Sequence, residues 1–339
     1  MGSYKLLYSL LQVALGIVSD VPDAREQSDE DWSGLLALSR RQAVTGLVYD
    51  ALSKLSPEYL HDMPAGVGAA FMLETEKIVH CSRMVSSLAD QILDVLRENG
   101  IRAVLMKGPS VGTYYPHPEY RTPGDIDLYC PAEQHLPAMD ILSRRMDAAG
   151  IYRAADGSRH CRIQGIDIDF HARYFDFEST GKAYPDVPSA YATLLMLSSH
   201  ILKHAMGAGV GLRQICDMTM AYSALSGQYD MARLRALFQS HGLLKWNVLL
   251  GDFIAQRLGM GIGLSENPPG DVSFLDKVVE SGGNFGNYHS SRASALSGSE
   301  RIRKVDTLLR LTSHLPFALR YAPGQFQTYL RLLVKGNLG

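Results

Sequence analysis

Apolar residues recur along this chain with two different periods, and the change of period marks out its parts. Near the start, Leu6, Leu7, Leu10, Leu11, Ala14 and Ile17 fall on one helical face, which predicts a first helix over about 4–19. Leu35, Leu36, Leu38, Val44, Leu47 and Val48 carry a second run over 32–55, read as two helices, and Pro57 and Pro64 break the pattern after it. A long amphipathic helix is predicted over 67–99, with Asn99-Gly100 as its C-cap. From Ile101 to Met106 an alternating apolar run reads as a buried strand that ends at Lys107-Gly108. Pro109 suits the first position of a new helix, with Gly108 or Ser110 near its cap. A Tyr- and Pro-rich loop then leads to Gly124-Asp125-Ile126-Asp127-Leu128, part of a strand over 125–130.

A helix follows from Pro131 through Ala149, closed by Gly150, and two strands over 158–164 and 166–173 turn at Gly165. Residues 174–187 form a polar connector. Helical spacing returns at Pro188-Ser189, with Leu194, Leu195, Leu197, Ile201 and Leu202 as its core stripe. Further helices are predicted over 210–224, twice within 230–258 and once at 271–280 inside a loop-rich stretch, 259–299. A basic helical tail runs from Arg301 to Val334. The fold class is therefore α+β and mostly helical, with one small mixed sheet. It divides into an N-terminal helical region (1–99), a core (100–187) and a C-terminal helical region (188–339).

Composition narrows the picture. A chain of 339 residues can bury a large core, and 46% apolar with 20% charged residues is ordinary for a globular protein. The net charge of −2 argues against an extended surface for duplex nucleic acid, which would need excess Lys and Arg. Cys81, Cys130, Cys161 and Cys216 form no CxxC pair, which fits thiols in a reducing cytoplasm better than a disulfide frame or a zinc site. The apolar N-terminus is interrupted by Tyr8, Ser9 and Gln12, so it reads as a packing helix and not as a signal peptide. No run of ~18 apolar residues occurs, and no membrane span is expected.

Candidate chemistry gathers between 101 and 173. Residues two apart on a strand share a face, so Asp125 and Asp127 project together while Ile126 and Leu128 enter the core. Adjacent carboxylates repel unless protonated or held by a cation, and hard oxygen donors suit Mg²⁺. A helix beginning after Lys107-Gly108 would offer its N–H groups to phosphate. In Ile166-Asp167-Ile168-Asp169-Phe170-His171, Asp167, Asp169 and His171 share one face. A third carboxylate on a neighbouring strand is what a two-metal phosphoryl-transfer site requires. Farther on, His200 and His204 stack four apart, as do Arg213 and Asp217. Ile201 after the first His excludes a zinc-protease motif. Gly207 to Gly211 follows a helix instead of a strand, so it is not a dinucleotide loop.

Lys-Gly after a strand, a loop ending in Arg121 and then Asp-Ile-Asp-Leu resembles the nucleotidyltransferase superfamily of DNA polymerase beta and the aminoglycoside nucleotidyltransferases. More closely it resembles the bacterial family known as uncharacterised nucleotidyltransferases, over roughly residues 30–260. Pro109 after Gly108 departs from the Gly-Gly or Gly-Ser turn common in the superfamily, and the gap from Gly108 to Asp125 is longer than in its minimal members. The resemblance implies that Asp125, Asp127 and Asp169 hold the metal, with Asp169 and His171 matching the family's Asp-hydrophobic-His and Asp167 to spare. It implies Lys107, Gly108, Ser110 and Arg121 on the nucleotide side, and His200, His204, Arg213 and Asp217 toward triphosphate, base or acceptor. An Arg213–Asp217 helix pair beside a buried His is the equal alternative for the last group.

The leading expectation is a Mg²⁺-dependent enzyme that moves an NMP from an NTP, with ATP taken as donor, to an unknown acceptor hydroxyl. A nucleotide-binding scaffold with the same fold, or a metal-dependent phosphohydrolase, are the other readings of the same residues.

Overall fold

The computed structural model describes residues 2–20, 29–154, 157–175, 189–207, 209–264, 269–283 and 315–334. Its first part is helical: α1 (Gly2–Ala14), α2 (Asp29–Arg41), α3 (Thr45–Lys54), the single turn α4 (Pro57–Leu60) and α5 (Ala65–Glu98). The first helix stops at Ala14, earlier than its apolar spacing suggests. Gly16 takes a positive φ of 69°, and the Ile17 N–H bonds back to the Gln12 carbonyl at 2.9 Å, so the chain reverses there.

Five strands make one mixed sheet: β1 (Val104–Leu105), β2 (Ile126–Tyr129), β3 (Ala149–Arg153), β4 (Arg159–Ile163) and β5 (Ile166–His171). Their order is β1-β2-β5-β4-β3. The β2–β5 pair is parallel, and the other three neighbours are antiparallel. Short helices separate the strands: α6 (Pro109–Gly112) between β1 and β2, and α7 (His135–Met146) between β2 and β3. After the sheet come α8 (Ala190–Met206), α9 (Leu212–Ala224), α10 (Met231–Ser240), α11 (Leu244–Leu258), α12 (Ser273–Gly282), α13 (Leu315–Tyr321) and α14 (Pro323–Val334). Most of the polar connector and residues 301–314 of the basic tail lie outside the described residues. Among the described residues, no helix is long and apolar enough to cross a membrane.

Two expectations of the pattern change here. The strand expected over 101–106 is only Val104–Leu105. The Ile101 N–H closes the end of α5 on the Leu96 carbonyl, and the Arg102 N–H goes to Gln134 Oε1, so neither is available to the ladder. The helix expected from Pro131 through Ala149 is also shorter. It ends when Asp147 adopts the left-handed conformation, φ 53°, as its C-cap. Ala149-Gly150-Ile151-Tyr152-Arg153 then forms the exposed edge strand β3, whose residues alternate poorly and carried no strand signal.

Alternation within β2 divides the interior. Ile126 and Leu128 join Ile168 and Phe170 beneath the sheet, against Val85, Leu88, Ile92 and Leu96 of α5 and Leu142 of α7. Tyr129 belongs to the larger helical core instead, where α1, α2 and α3 meet α8, α9 and α11. The 34-residue α5 is about 50 Å long and feeds both, with Phe71 in the helical core and Leu88 under the sheet. The helices before and after the sheet therefore share one interior.

The contact of α3 with the loop before β2 is a tight one. A Cβ on Gly46 would lie well inside van der Waals contact of the Tyr120 carbonyl oxygen, a backbone atom with little room to yield. Gly46→Ala should therefore lower stability by about 1–3 kcal/mol, despite the better helix propensity of Ala. Urea unfolding followed by circular dichroism checks this, as a lower midpoint at unchanged slope.

Candidate active site

The open face of the sheet forms the floor of a cleft of about 1080 Å³. Parallel pairing sets Asp127 beside Asp169 and Tyr129 beside His171. Ligand atoms of Asp127, Asp169 and His171 all lie within 4.8 Å of one another, the only such group of three among the described residues. It is Asp169, not Asp167, that joins Asp127. Asp167 pairs with Arg162 in the exposed outer part of the cleft (Asp167 Oδ1 to Arg162 Nε 2.8 Å).

Asp125 sits just ahead of β2, lines the same cleft and remains open to solvent. Its carboxyl is pushed up to about 6, first by the charge of Asp127, then by partial loss of water, with Asp169 adding to the rise and Lys107 opposing it. Asp127 goes the other way. Burial alone would raise it, but Lys107, the hydrogen bond from His171 and the nearby His200 hold it well below the usual carboxylate range. Lys107 Nζ is 3.0 Å and His171 Nε2 is 2.7 Å from Asp127 Oδ1.

A chain of polar contacts continues from Lys107 into the helices. Lys107 Nζ lies 3.4 Å from His200 Nδ1, and His200 Nε2 lies 3.1 Å from His204 Nε2. Both histidines occupy the cleft-facing side of α8, whose first turn is capped by Ser189.

Arg213 and Asp217 also line the cleft, but they do not pair as a helix i, i+4 couple. Asp217 is held by Arg121 in a two-pronged contact, Nε–Oδ1 2.6 Å and Nη2–Oδ2 2.8 Å, and the Tyr115 hydroxyl donates to Oδ1 at 2.8 Å. Both members are buried, which makes this a structural clamp. Arg213 Nη1 instead donates to the carbonyls of Thr122 and Pro123, at 3.1 and 3.4 Å. The two arginines thus hold the backbone carbonyls of residues 122–123, which Gly124 separates from Asp125.

Gly108 is needed for the turn after β1. Its φ is 67°, and a Cβ there would approach the Asp125 carbonyl to 3.3 Å. The helix beyond it, α6, is a single four-residue turn, so it lacks the dipole and the row of N–H groups that a longer helix would turn toward phosphate. Ser110 does not line the cleft; its hydroxyl is 3.5 Å from the Lys107 carbonyl.

Two neighbours of the carboxylates escaped the sequence reading. His160 on β4 has Nδ1 2.5 Å from Asp169 Oδ1, and the Tyr152 ring of β3 stacks on it at 4.7 Å and 11°. A signal for His160 existed. Gln164 and Gly165 both take positive φ in a two-residue turn, and such a turn fixes the register that sets His160 opposite Asp169. Tyr152 had none, because β3 itself was not legible.

Five basic side chains and five carboxylates line the cleft, so their charges cancel. Two carboxylates and an imidazole fit a divalent cation that tolerates nitrogen beside oxygen. A small mixed sheet with paired carboxylates thus faces a cleft flanked by basic side chains. The family model described as uncharacterised nucleotidyltransferase matches residues 28–259, and the chain belongs to that family. No curated protein and no solved structure gives a significant match.

The raised Asp125 carboxyl has a consequence for stability. Between about pH 4 and 6 the folded chain binds a proton at Asp125 that the unfolded chain has released, so this group lowers stability as pH rises through that window. In thermal melts with EDTA, Asp125→Asn should gain on the wild type from pH 4.5 to 7. A difference that does not change with pH would mean that Asp125 and Asp127 are uncoupled.

Proposed function

We propose that the cleft transfers an NMP unit from an NTP, with ATP as the first candidate, to an acceptor hydroxyl and releases pyrophosphate. The observation that carries this reading is the convergence of Asp127, Asp169 and His171 beside Lys107, on the face where Asp125 also projects. Asp125, Asp127 and Asp169 would hold divalent cation, Mg²⁺ by preference, with His171 as orienting partner of Asp127 or a nitrogen donor. A bound cation would offset triphosphate charge and polarise the α-phosphate.

The need for such a cation follows from the electrostatics. The lining charges cancel, so the protein alone does not balance a triphosphate. Lys107 would meet the β- and γ-phosphate oxygens, with Arg213, His200 and His204 farther along the same wall. Asp169 would accept the proton of the acceptor hydroxyl as its oxygen bonds to the α-phosphorus. The bond to the β-phosphate oxygen then breaks, and charge on the leaving pyrophosphate falls toward Lys107. In-line displacement sets the attacking hydroxyl opposite the leaving group. Lys107, Lys203 and Arg213 line the cleft toward α8 and α9, and the basic Arg162 on β4 is paired with Asp167. The acceptor would therefore enter from the other direction, across β4 and β3. Arg121 and Asp217 act in this account by holding the loop before Asp125.

Pyrophosphate release should be measured with each NTP, Mg²⁺ and acceptor fractions from a lysate, with mass spectrometry of whatever gains an NMP. Asp125→Asn should slow transfer ~100-fold or more, about 3 kcal/mol of barrier, while the fold persists. Lys107→Met should weaken NTP binding or slow pyrophosphate departure while leaving the carboxylates in place. An Asp125→Asn variant with normal turnover would end this account. Inorganic phosphate or NMP release without acceptor would indicate a hydrolase, and Mg²⁺-NTP stabilisation with no turnover a binding scaffold.

A further inference from the structure

Asp169 carries two tasks in the proposed reaction, and a carboxylate free to rotate about its last torsion would do neither well. Its Oδ1 is engaged by His160 Nδ1 at 2.5 Å. A carboxylate can only accept in this contact, so Nδ1 carries the hydrogen. The other ring nitrogen, Nε2, lies 2.9 Å from Ser158 Oγ, and a hydroxyl donor there fits the tautomer that the carboxylate demands. Ser158 is buried at 4% exposure, so its hydroxyl meets the ring with little competition from water. Tyr152, the β3 partner of His160 in the ladder, covers the ring's face at 4.7 Å. Its side chain is otherwise largely in solvent, 58% exposed, so a core role does not explain it. The imidazole is thus held at both nitrogens and on one face.

We infer that His160 is a positioning residue: held by Ser158 and Tyr152, it commits Oδ1 of Asp169 and so presents Oδ2 to the cation and the acceptor proton. This rests on the reading of the cleft as a metal-dependent transfer site. The physical basis is that a hydrogen-bonded partner behind a ligand fixes its orientation before the ion arrives. The hairpin builds the device cheaply. The two-residue turn at Gln164-Gly165 pairs Ile163 with Ile166, and the same register brings His160 to Asp169. Ser158 and His160 are two apart and reach the same face. Among the described residues Asp169 Oδ2 has no hydrogen-bond partner, and both contacts of Asp127 likewise fall on Oδ1.

Titration of the full chain with Mn²⁺ alone, with free ion read by electron paramagnetic resonance, tests this without any need for the acceptor. His160→Leu should fold and melt cooperatively yet bind Mn²⁺ about 10- to 100-fold more weakly. His160→Asn keeps an N–H near the position of Nδ1 and should recover most of that affinity, which a purely structural role for the ring would not give. Ser158→Ala should weaken binding by a smaller factor, and it decides the matter if His160→Leu fails to fold. Wild-type affinity in His160→Leu, or no rescue by Asn, overturns the inference. Asp127→Asn separates the two levels. If it abolishes Mn²⁺ binding while His160→Leu does not, only the positioning role falls. If Asp127→Asn binds Mn²⁺ like the wild type, the transfer site falls with it.

Discussion

Parallel pairing of β2 with β5 is the constraint on which the rest depends. It aligns Asp127 with Asp169 and Tyr129 with His171, so like charges meet on one face while Ile126, Leu128, Ile168 and Phe170 meet on the other. Burial of the apolar side stabilises the pairing, and the polar side must then tolerate the repulsion. It does so unequally. Asp127 takes both Lys107 and His171 and stays ionised, while Asp125 absorbs the conflict as a raised carboxyl. A site under such tension has a standing attraction for a cation, which would relieve the repulsion that the sheet enforces.

The helical body serves this sheet edge in a specific way. Arg121, Asp217 and Tyr115 form a buried network that ties α9 to the loop before β2. Removing one member would leave a charge buried without its partner, a defect on the order of 3–5 kcal/mol. The network is therefore better understood as a means of fixing one loop geometry than as a source of net stability. Arg213 supports the same loop through its carbonyls, although Arg121 lies nearby and their like charges oppose each other. Burial first, and then Arg121, depress the Arg213 guanidinium, while Asp217 and Asp125 oppose the shift.

Contacts cross the cleft from the helices to the sheet edge in an unbroken order. His204, His200 and Lys107 lead from α8 to Asp127, and from Asp169 the contacts run outward through His160 to Tyr152 on the sheet edge. One end carries Lys107, Lys203 and Arg213, and the other carries the Tyr152 ring and the exposed Arg162–Asp167 pair. The carboxylates Asp127 and Asp169 lie between these two ends.

The sequence alone determined the elements whose signals are local. Helical spacing marked the flanking helices, strict alternation placed Asp169 and His171 on one face, and the Lys107-Gly108 turn stood out because few residues other than Gly accept its positive φ. It also marked the hairpin turn at Gly165, while the register of β4 on β5 came with the two-residue turn at Gln164-Gly165. Tertiary structure decided what depends on distant partners. The parallel register of β2 on β5 joins residues about 40 apart, and nothing local specifies it. Asp217 turned to Arg121 rather than to Arg213 because burial rewarded a two-pronged contact over an i, i+4 pair on one helix. The edge strand β3 exists because β4 offers it a ladder, not because its own residues alternate. Tyr152 reached the cleft only through that pairing, which is why the aromatic end of the site was invisible until the chain was folded.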